Sequence, residues 1–225
     1  MPHPQPDAIG HDVITPGVII PFVIVLCGGT SRRLGGVDKT RESLSGTTVL
    51  DHLLDDVPPG WPVVCVGGMR ATTRSVQWCR ESPAGGGPVA GIAAGLSLIR
   101  DLSLIRDLSP VKDLGAATDH AAICVVVGGD MPFAATALPT LVDALNAAPG
   151  LQAVLASDPN GRKQPLLAAY RFEALRTALP REPGGARLMA VIDNLLIDTV
   201  ECDSRTALDV DTPEALEQAR HIVGT

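Results

Sequence analysis

The chain has 225 residues, 45% of them hydrophobic and 19% charged, which suffices for one well-buried domain, or one with a small addition, and excludes a disordered chain. A formal net charge of −7 excludes a polynucleotide partner, because that affinity comes mostly from Lys and Arg neutralising phosphates, although a small local anion site stays compatible. Aromatic residues make up only 3%, so the core must be built from Val, Leu, Ile and Ala, which suits a parallel sheet covered by helices.

Residues 1–17, with Pro2, Pro4 and Pro6, read as a flexible tail: they lack the basic start and apolar core of a signal peptide. The longest apolar run, 18–27, is interrupted by Pro21 and is too short to cross a membrane. The five cysteines, Cys27, Cys65, Cys79, Cys124 and Cys202, show no Cys-x-x-Cys spacing, nor do the histidines show His-x-x-x-His. Zinc and disulfides are therefore poor readings, a reducing cytoplasm is the simple one, and the thiols are expected to be small buried apolar groups. Residues 18–225 are expected to form a single domain.

The first strand is Val23-Ile24-Val25-Leu26, short and β-branched, feeding Cys27-Gly28-Gly29-Thr30-Ser31-Arg32-Arg33 and, further on, Asp38-Lys39. Glycines, Ser31 and cations in that position predict a loop whose amides and charges hold phosphates. It matches neither a Walker A loop, which ends in Gly-Lys-Ser/Thr, nor the dinucleotide fingerprint. Ser45-Gly46 predicts a turn, 48–54 a helix, and Pro62-Val63-Val64-Cys65-Val66 a second strand, giving a parallel βαβ unit. His52 on that helix reads as a packed or solvent-facing side chain rather than a catalyst.

A third strand over 76–79 leads into Glu81-Ser82-Pro83-Ala84-Gly85-Gly86-Gly87-Pro88, a loop that a ligand can approach closely, and then an Ala-rich helix. Leu96-Ser97-Leu98-Ile99-Arg100-Asp101 is repeated at once as 102–107. Six residues turn a helix by about 600°, not a whole number of turns, so the copies face different ways. Residues 96–120 read as a tandem insertion that lengthens a helix and its following loop, without chemistry of its own. The clearest buried strand, 121–127, delivers Gly128-Gly129-Asp130-Met131-Pro132 at its carboxyl end, where open α/β sheets bind ligands. Asp130 is placed to hold a magnesium ion or, more plainly, to cap a helix.

Beyond a helix at 137–147 and a strand at 153–156, a turn at 157–161 precedes Arg162-Lys163-Gln164-Pro165-Leu166 at the head of another strand. The two cations suit an anionic group, or are a solvated turn. Arg187 stands before a further helix. After a last strand near 199–202, Asp209-Val210-Asp211-Thr212-Pro213-Glu214 carries good helix-start chemistry, with Asp211 or Thr212 as the cap.

Taken together, the loop at 26–39, the glycine run at 85–91, Gly-Asp-Met-Pro at 129–132, Gln164-Pro165-Leu166 and Asp-Val-Asp-Thr-Pro-Glu at 209–214 resemble the motifs of the MobA-like molybdenum cofactor guanylyltransferases, in their order. The resemblance covers nearly the whole chain except the tail and the insertion. It implies a three-layer αβα, Rossmann-like nucleotidyltransferase fold with a mostly parallel central sheet. It implies transfer of GMP from GTP to the terminal phosphate of molybdopterin with release of pyrophosphate.

By the same resemblance, Arg33, Lys39 and Asp130 are the catalytic residues, Asp130 and Asp211 hold magnesium, and Leu26, Cys27, Gly28, Gly29, Arg33, Lys39, Glu81, Ser82, Gly87 and Pro88 bind the nucleotide. Arg162, Gln164, Pro165 and Arg187 would face the acceptor. The Gly28-Gly29 pair favours GTP over CTP. Partners beyond the two substrates would be molybdoenzymes or their chaperones, with no nucleic acid and no membrane. In the loop the chain departs from the family pattern at Cys27 for Ala, at Leu34 for Met and by one extra residue between Gly35 and Asp38; beyond it, Ser82, beside Glu81, stands where an Asp is usual, and Gly67 near where an Asn is. A cytidylyl- or sugar-1-phosphate nucleotidyltransferase, or a non-catalytic nucleotide-binding or cofactor-delivery protein, are the alternatives.

Overall fold

A computed structural model describes residues 20–28, 38–105 and 122–224. The expected tail, Gly29, Arg33 and the part of the insertion at 106–120 lie outside the described residues.

Three β-branched runs build the centre of the molecule. They are β1 (Phe22–Leu26), β4 (Val63–Val66) and β6 (Ile123–Gly128), all buried on both faces except for Leu26. With β5 (Gln77–Cys79), β7 (Ala153–Ser157), β8 (Lys163–Arg171) and β9 (Ile197–Glu201) they form a seven-stranded sheet of order β5-β4-β1-β6-β8-β7-β9. Only β8 runs against its neighbours; every other pair is parallel. The mostly parallel sheet expected from composition is therefore present.

Alternate side chains of each strand feed two separate core layers, as the two-residue period of a strand requires. Val23, Val25, Cys65 and Val125 pack under α1 (Val49–Asp56) and α3 (Leu138–Ala147). Ile24, Val64, Val66 and Val126 pack under α2 (Gly87–Ile105), α4 (Phe172–Ala178) and α5 (Leu188–Ile192). This is the expected αβα sandwich. A smaller cluster seats α6 (Pro213–Gly224) on Leu44, Val49 and Phe133.

Helix α2 lies unusually close to β1. A Cβ built on Gly95 would come within 2.8 Å of Ile24 Cδ1, and one on Gly91 within 3.0 Å of Leu26 Cδ2. Each glycine weakens a helix by about 1 kcal/mol relative to Ala, and here the close approach to the sheet offsets that cost.

Several details differ from the sequence reading. The Ser45-Gly46 turn joins two short strands, β2 (Ser43–Leu44) and β3 (Thr47–Thr48), in a hairpin, with φ of +47° and +91° at the two turn residues. The strands are too short to show an alternation, which is why only the turn was legible. The thiols of Cys27, Cys65 and Cys124 are buried as expected, but Cys79 and Cys202 are half-buried. Cys79 closes edge strand β5 and Cys202 follows edge strand β9, where the covering layers thin out. All five are free thiols. The first copy of the duplicated hexapeptide lies inside α2, with Leu96 and Ile99 in the core, and the helix runs on to Ile105. Among the described residues no helix is long and apolar enough to cross a membrane.

Candidate active site

The chain winds from β1 through α1 to β4 and then β5 on one side, and returns through α2 to β6 on the other side of β1. The right-handed crossover rule puts α1 and α2 on opposite faces, so a crevice opens at the carboxyl ends of β1 and β6 where the winding reverses. A cavity occupies that point, lined by Leu26, Gly28, Val66, Glu81, Gly85, Gly87, Pro88, Gly91, Gly128, Asp130 and Leu166.

Apart from Glu81 and Asp130, its walls are backbone and apolar side chains, because bulk has been removed from them. A Cβ on Gly128 would fall 2.7 Å from Asp130 Oδ1, so only glycine lets this carboxylate fold back beside the strand end. Glu81 accepts a hydrogen bond from the Gly85 backbone N–H at 3.1 Å, and its Oε1 lies 3.6 Å from where a Gly28 Cβ would stand. Gly67 has φ of +151°, and a Cβ there would come within 3.1 to 3.2 Å of the Cys27 backbone. The residue that departs from the Asn of the family pattern is thus one whose side chain would press on the strand β1 exit.

The polar centre joins three loops. The Val210 N–H donates to the Asp130 carbonyl at 2.9 Å, drawing the segment before α6 against the Asp130 turn. The Thr212 hydroxyl accepts from the Ala215 N–H at 3.2 Å, so Thr212 caps α6. The Lys39 ammonium donates to Asp130 Oδ2 at 2.9 Å and also to Asp211 Oδ1.

No group of three or more His, Cys, Asp or Glu suited to a metal occurs among the described residues. Two carboxylates meeting at one cation are nevertheless the donor set that a hard divalent ion takes when phosphate oxygens and water complete its shell. The residues present therefore fit such an ion.

Behind this centre stands a group that sequence reasoning missed. Arg70 donates from Nη1 to Asp38 Oδ2 at 3.3 Å and to the Gly68 carbonyl at 3.4 Å, and from Nη2 to the Thr40 hydroxyl. Its guanidinium carbon lies 5.3 Å from the centroid of the Trp78 ring. Asp38 Oδ1 in turn accepts from the Thr40 N–H at 3.1 Å and caps the single helical turn 39–41. Arg70 lies four residues past a strand with no motif around it, and only the fold brings it to Asp38.

Of the other nucleotide residues expected, Leu26, Gly28, Glu81, Gly87 and Pro88 line the cavity. Cys27 is buried with its thiol directed at the Val25 carbonyl at 3.6 Å, among the core side chains under α1. Ser82 is exposed on the loop and does not line the cavity, whereas Glu81 beside it does. His52 packs edge-on to Phe133 with ring centroids 5.2 Å apart and has Nδ1 3.2 Å from the Pro132 carbonyl, a structural role.

None of the four residues expected to face an acceptor, Arg162, Gln164, Pro165 and Arg187, lines the cavity, although Leu166, next to Pro165 on β8, does. Gln164 and Pro165 are half-buried, and Arg162 and Lys163 are exposed. Arg187, also exposed, precedes α5, and its loop meets the glycine run through a Gly185 N–H bond to the Gly86 carbonyl at 2.8 Å. The pairing of β7 with β8 slips between Leu155 and Ala156, with Leu155 opposite Ala168 and Ala156 opposite Gln164. Pro165, which cannot donate to a ladder, falls in this irregularity, and the buried Tyr170 hydroxyl donates to its carbonyl at 2.9 Å.

Residues 23–199 match the model of the MobA-like NTP transferase domain. The chain belongs to this family. The probable molybdenum cofactor guanylyltransferase of Natronomonas pharaonis is 27% identical over 217 residues, covering 88% of this chain and 95% of that protein. A molybdenum cofactor guanylyltransferase of Vibrio cholerae is 33% identical over 78 residues, which cover 33% of this chain and only 38% of that one. The crystal structure of molybdopterin-guanine dinucleotide biosynthesis protein A from Archaeoglobus fulgidus superposes with a TM-score of 0.60 over 90% of this chain and 98% of that one, at 23% identity. This MobA-like domain therefore shares a nucleotidyltransferase fold, and its site lies at the same kind of crevice that open α/β sheets use for ligands.

Proposed function

We propose that this protein transfers GMP from GTP to the terminal phosphate of molybdopterin, forming molybdopterin guanine dinucleotide. The observation that carries the reading is the Lys39 ammonium shared by Asp130 and Asp211, of which Asp130 lines a glycine-walled cavity. A phosphate oxygen of the acceptor attacks the α-phosphorus, the bond from that phosphorus to the bridging oxygen breaks, and pyrophosphate leaves. The nucleophile is already ionised at neutral pH, so no general base is needed, and the protein's task is positioning and neutralising charge.

Asp130 and Asp211 would hold the magnesium ion, which supplies charge neutralisation at the phosphates. Lys39, with Arg33, stabilises the triphosphate and the leaving pyrophosphate. Glu81 suits guanine, whose N1–H and exocyclic amine lie side by side and match the two oxygens of one carboxylate, a pair of donors that cytosine lacks. Leu26, Gly28, Gly87 and Pro88 give the base an apolar slot, and Gln164, Pro165, Arg162 and Arg187 receive the pterin phosphate. Action in the cytoplasm and hand-over to molybdoenzymes or their chaperones belong to the same proposal.

The test is calorimetric titration with GTP, CTP, ATP and UTP in the presence of magnesium, for the wild type and Asp130→Ala. Magnesium-dependent GTP binding lost in the variant supports the reading. Preference for CTP transfers it to a cytidylyltransferase, and absence of binding to all four nucleotides refutes it.

A further inference from the structure

We propose that Arg70 is a positioning residue that keeps Lys39 available to the phosphates, a role that rests on the phosphate-binding reading of Lys39 given above. Lys39 lies between Asp38 and Thr40, and both neighbours are held by the one guanidinium. Asp38 is the nearest carboxylate to Lys39 along the chain. Left unpaired, it would compete with Asp130 and Asp211 for the ammonium, since charge-assisted bonds of similar length have similar strength. Arg70 removes that competition from one side, and Arg41 adds a contact to Asp38 Oδ2 at 3.2 Å from the other.

The fork also makes the short turn rigid. The Arg70 side chain is only 11% exposed, sits over Trp78 and bonds the Gly68 carbonyl, so it is anchored on β5 and on the loop after β4. Thr40, bonded by the same guanidinium, is buried, and its methyl carbon lies 3.3 Å from where a Gly129 Cβ would stand. One side chain thus links the Lys39 turn to the loop after β4, while Thr40 seats that turn against the Gly128-Gly129-Asp130 loop. A lysine at 70 would keep the charge but lose the planar two-pronged geometry and the stacking.

Two readouts test this on the full-length protein. The first is amine labelling of Lys39 without nucleotide, quantified by mass spectrometry against exposed Lys163 in the same molecule. Arg70→Lys is expected to raise labelling of Lys39 several-fold, because the loosened turn lets the ammonium leave Asp130 for the more exposed Asp38, and to leave Lys163 unchanged. The second is a double-mutant cycle on GTP turnover. Arg70→Lys should lower kcat/KM by about 10²-fold, as misplacement of a catalytic group does, and have almost no further effect when combined with Lys39→Met. In Arg70→Ala, added methylguanidinium should restore part of the rate, and should not in the Lys39→Met background.

Unchanged Lys39 labelling overturns the proposal. So does an equal loss with and without Lys39, which would make Arg70 a direct substrate contact. If the wild type turns over no nucleotide, the transferase reading falls, and the labelling decides the part played by Arg70.

Discussion

The two halves of the sheet solve different problems. On the β5-β4-β1-β6 side every strand is parallel, the strand ends are glycine-rich, and the charged groups are paired, Lys39 with Asp130 and Asp211, and Arg70 with Asp38. On the β8-β7-β9 side an antiparallel strand carries an irregular register, and the cations Arg162, Lys163 and Arg187 are exposed. On the proposed function the first half would hold a triphosphate closely, with backbone and paired charges, and the second would present a rim to an acceptor. A transferase has reason for such a division, because the donor's reacting phosphorus must be held in line while the second substrate enters from solvent.

Four substitutions test the division. The largest effect is expected of Gly128→Ala, whose new methyl would displace the Asp130 carboxylate from 2.7 Å. Initial-rate measurements of pyrophosphate release should show roughly a 10²-fold loss of kcat/KM with a nearly unchanged thermal midpoint. Equal loss of rate and of folding would show that Gly128 serves only packing.

Next, Arg162→Ala and Arg187→Ala should each raise KM for the acceptor about tenfold, the size of one lost charge-assisted hydrogen bond, and leave KM for GTP alone. A matching rise in KM for GTP would dissolve the distinction between the halves. The smallest functional change is expected of Tyr170→Phe, which deprives the Pro165 carbonyl of its buried donor. Denaturant titration should report a stability loss of about 1–2 kcal/mol, and turnover should fall only through KM for the acceptor. An effect on GTP binding would mean that the bulged strand supports the nucleotide half as well.

Much of this molecule was legible in local patterns. The runs at 23–26, 63–66 and 123–127 are β-branched and continuous because both faces of a parallel strand are covered, so composition alone marked them as central. Gly128-Gly129-Asp130 and Asp211-Thr212-Pro213 were recognisable because a tight turn and a helix start each need particular residue types within a few positions. These signals are short-range, and the chain could be read for them without knowing where it went.

Tertiary structure alone decided which charges meet. Lys39 reaches a carboxylate 91 residues away and another 172 residues away, and Arg70 reaches Asp38 from 32 residues on. No periodicity encodes such pairs, since they follow from the order in which strands are laid beside β1. The sequence likewise could not say that β8 is antiparallel, that Glu81 rather than Ser82 enters the cavity, or that Thr212 takes the cap while Asp211 meets Lys39. Each of those outcomes turns on a direction or a distance between segments, and burial patterns along one segment contain neither.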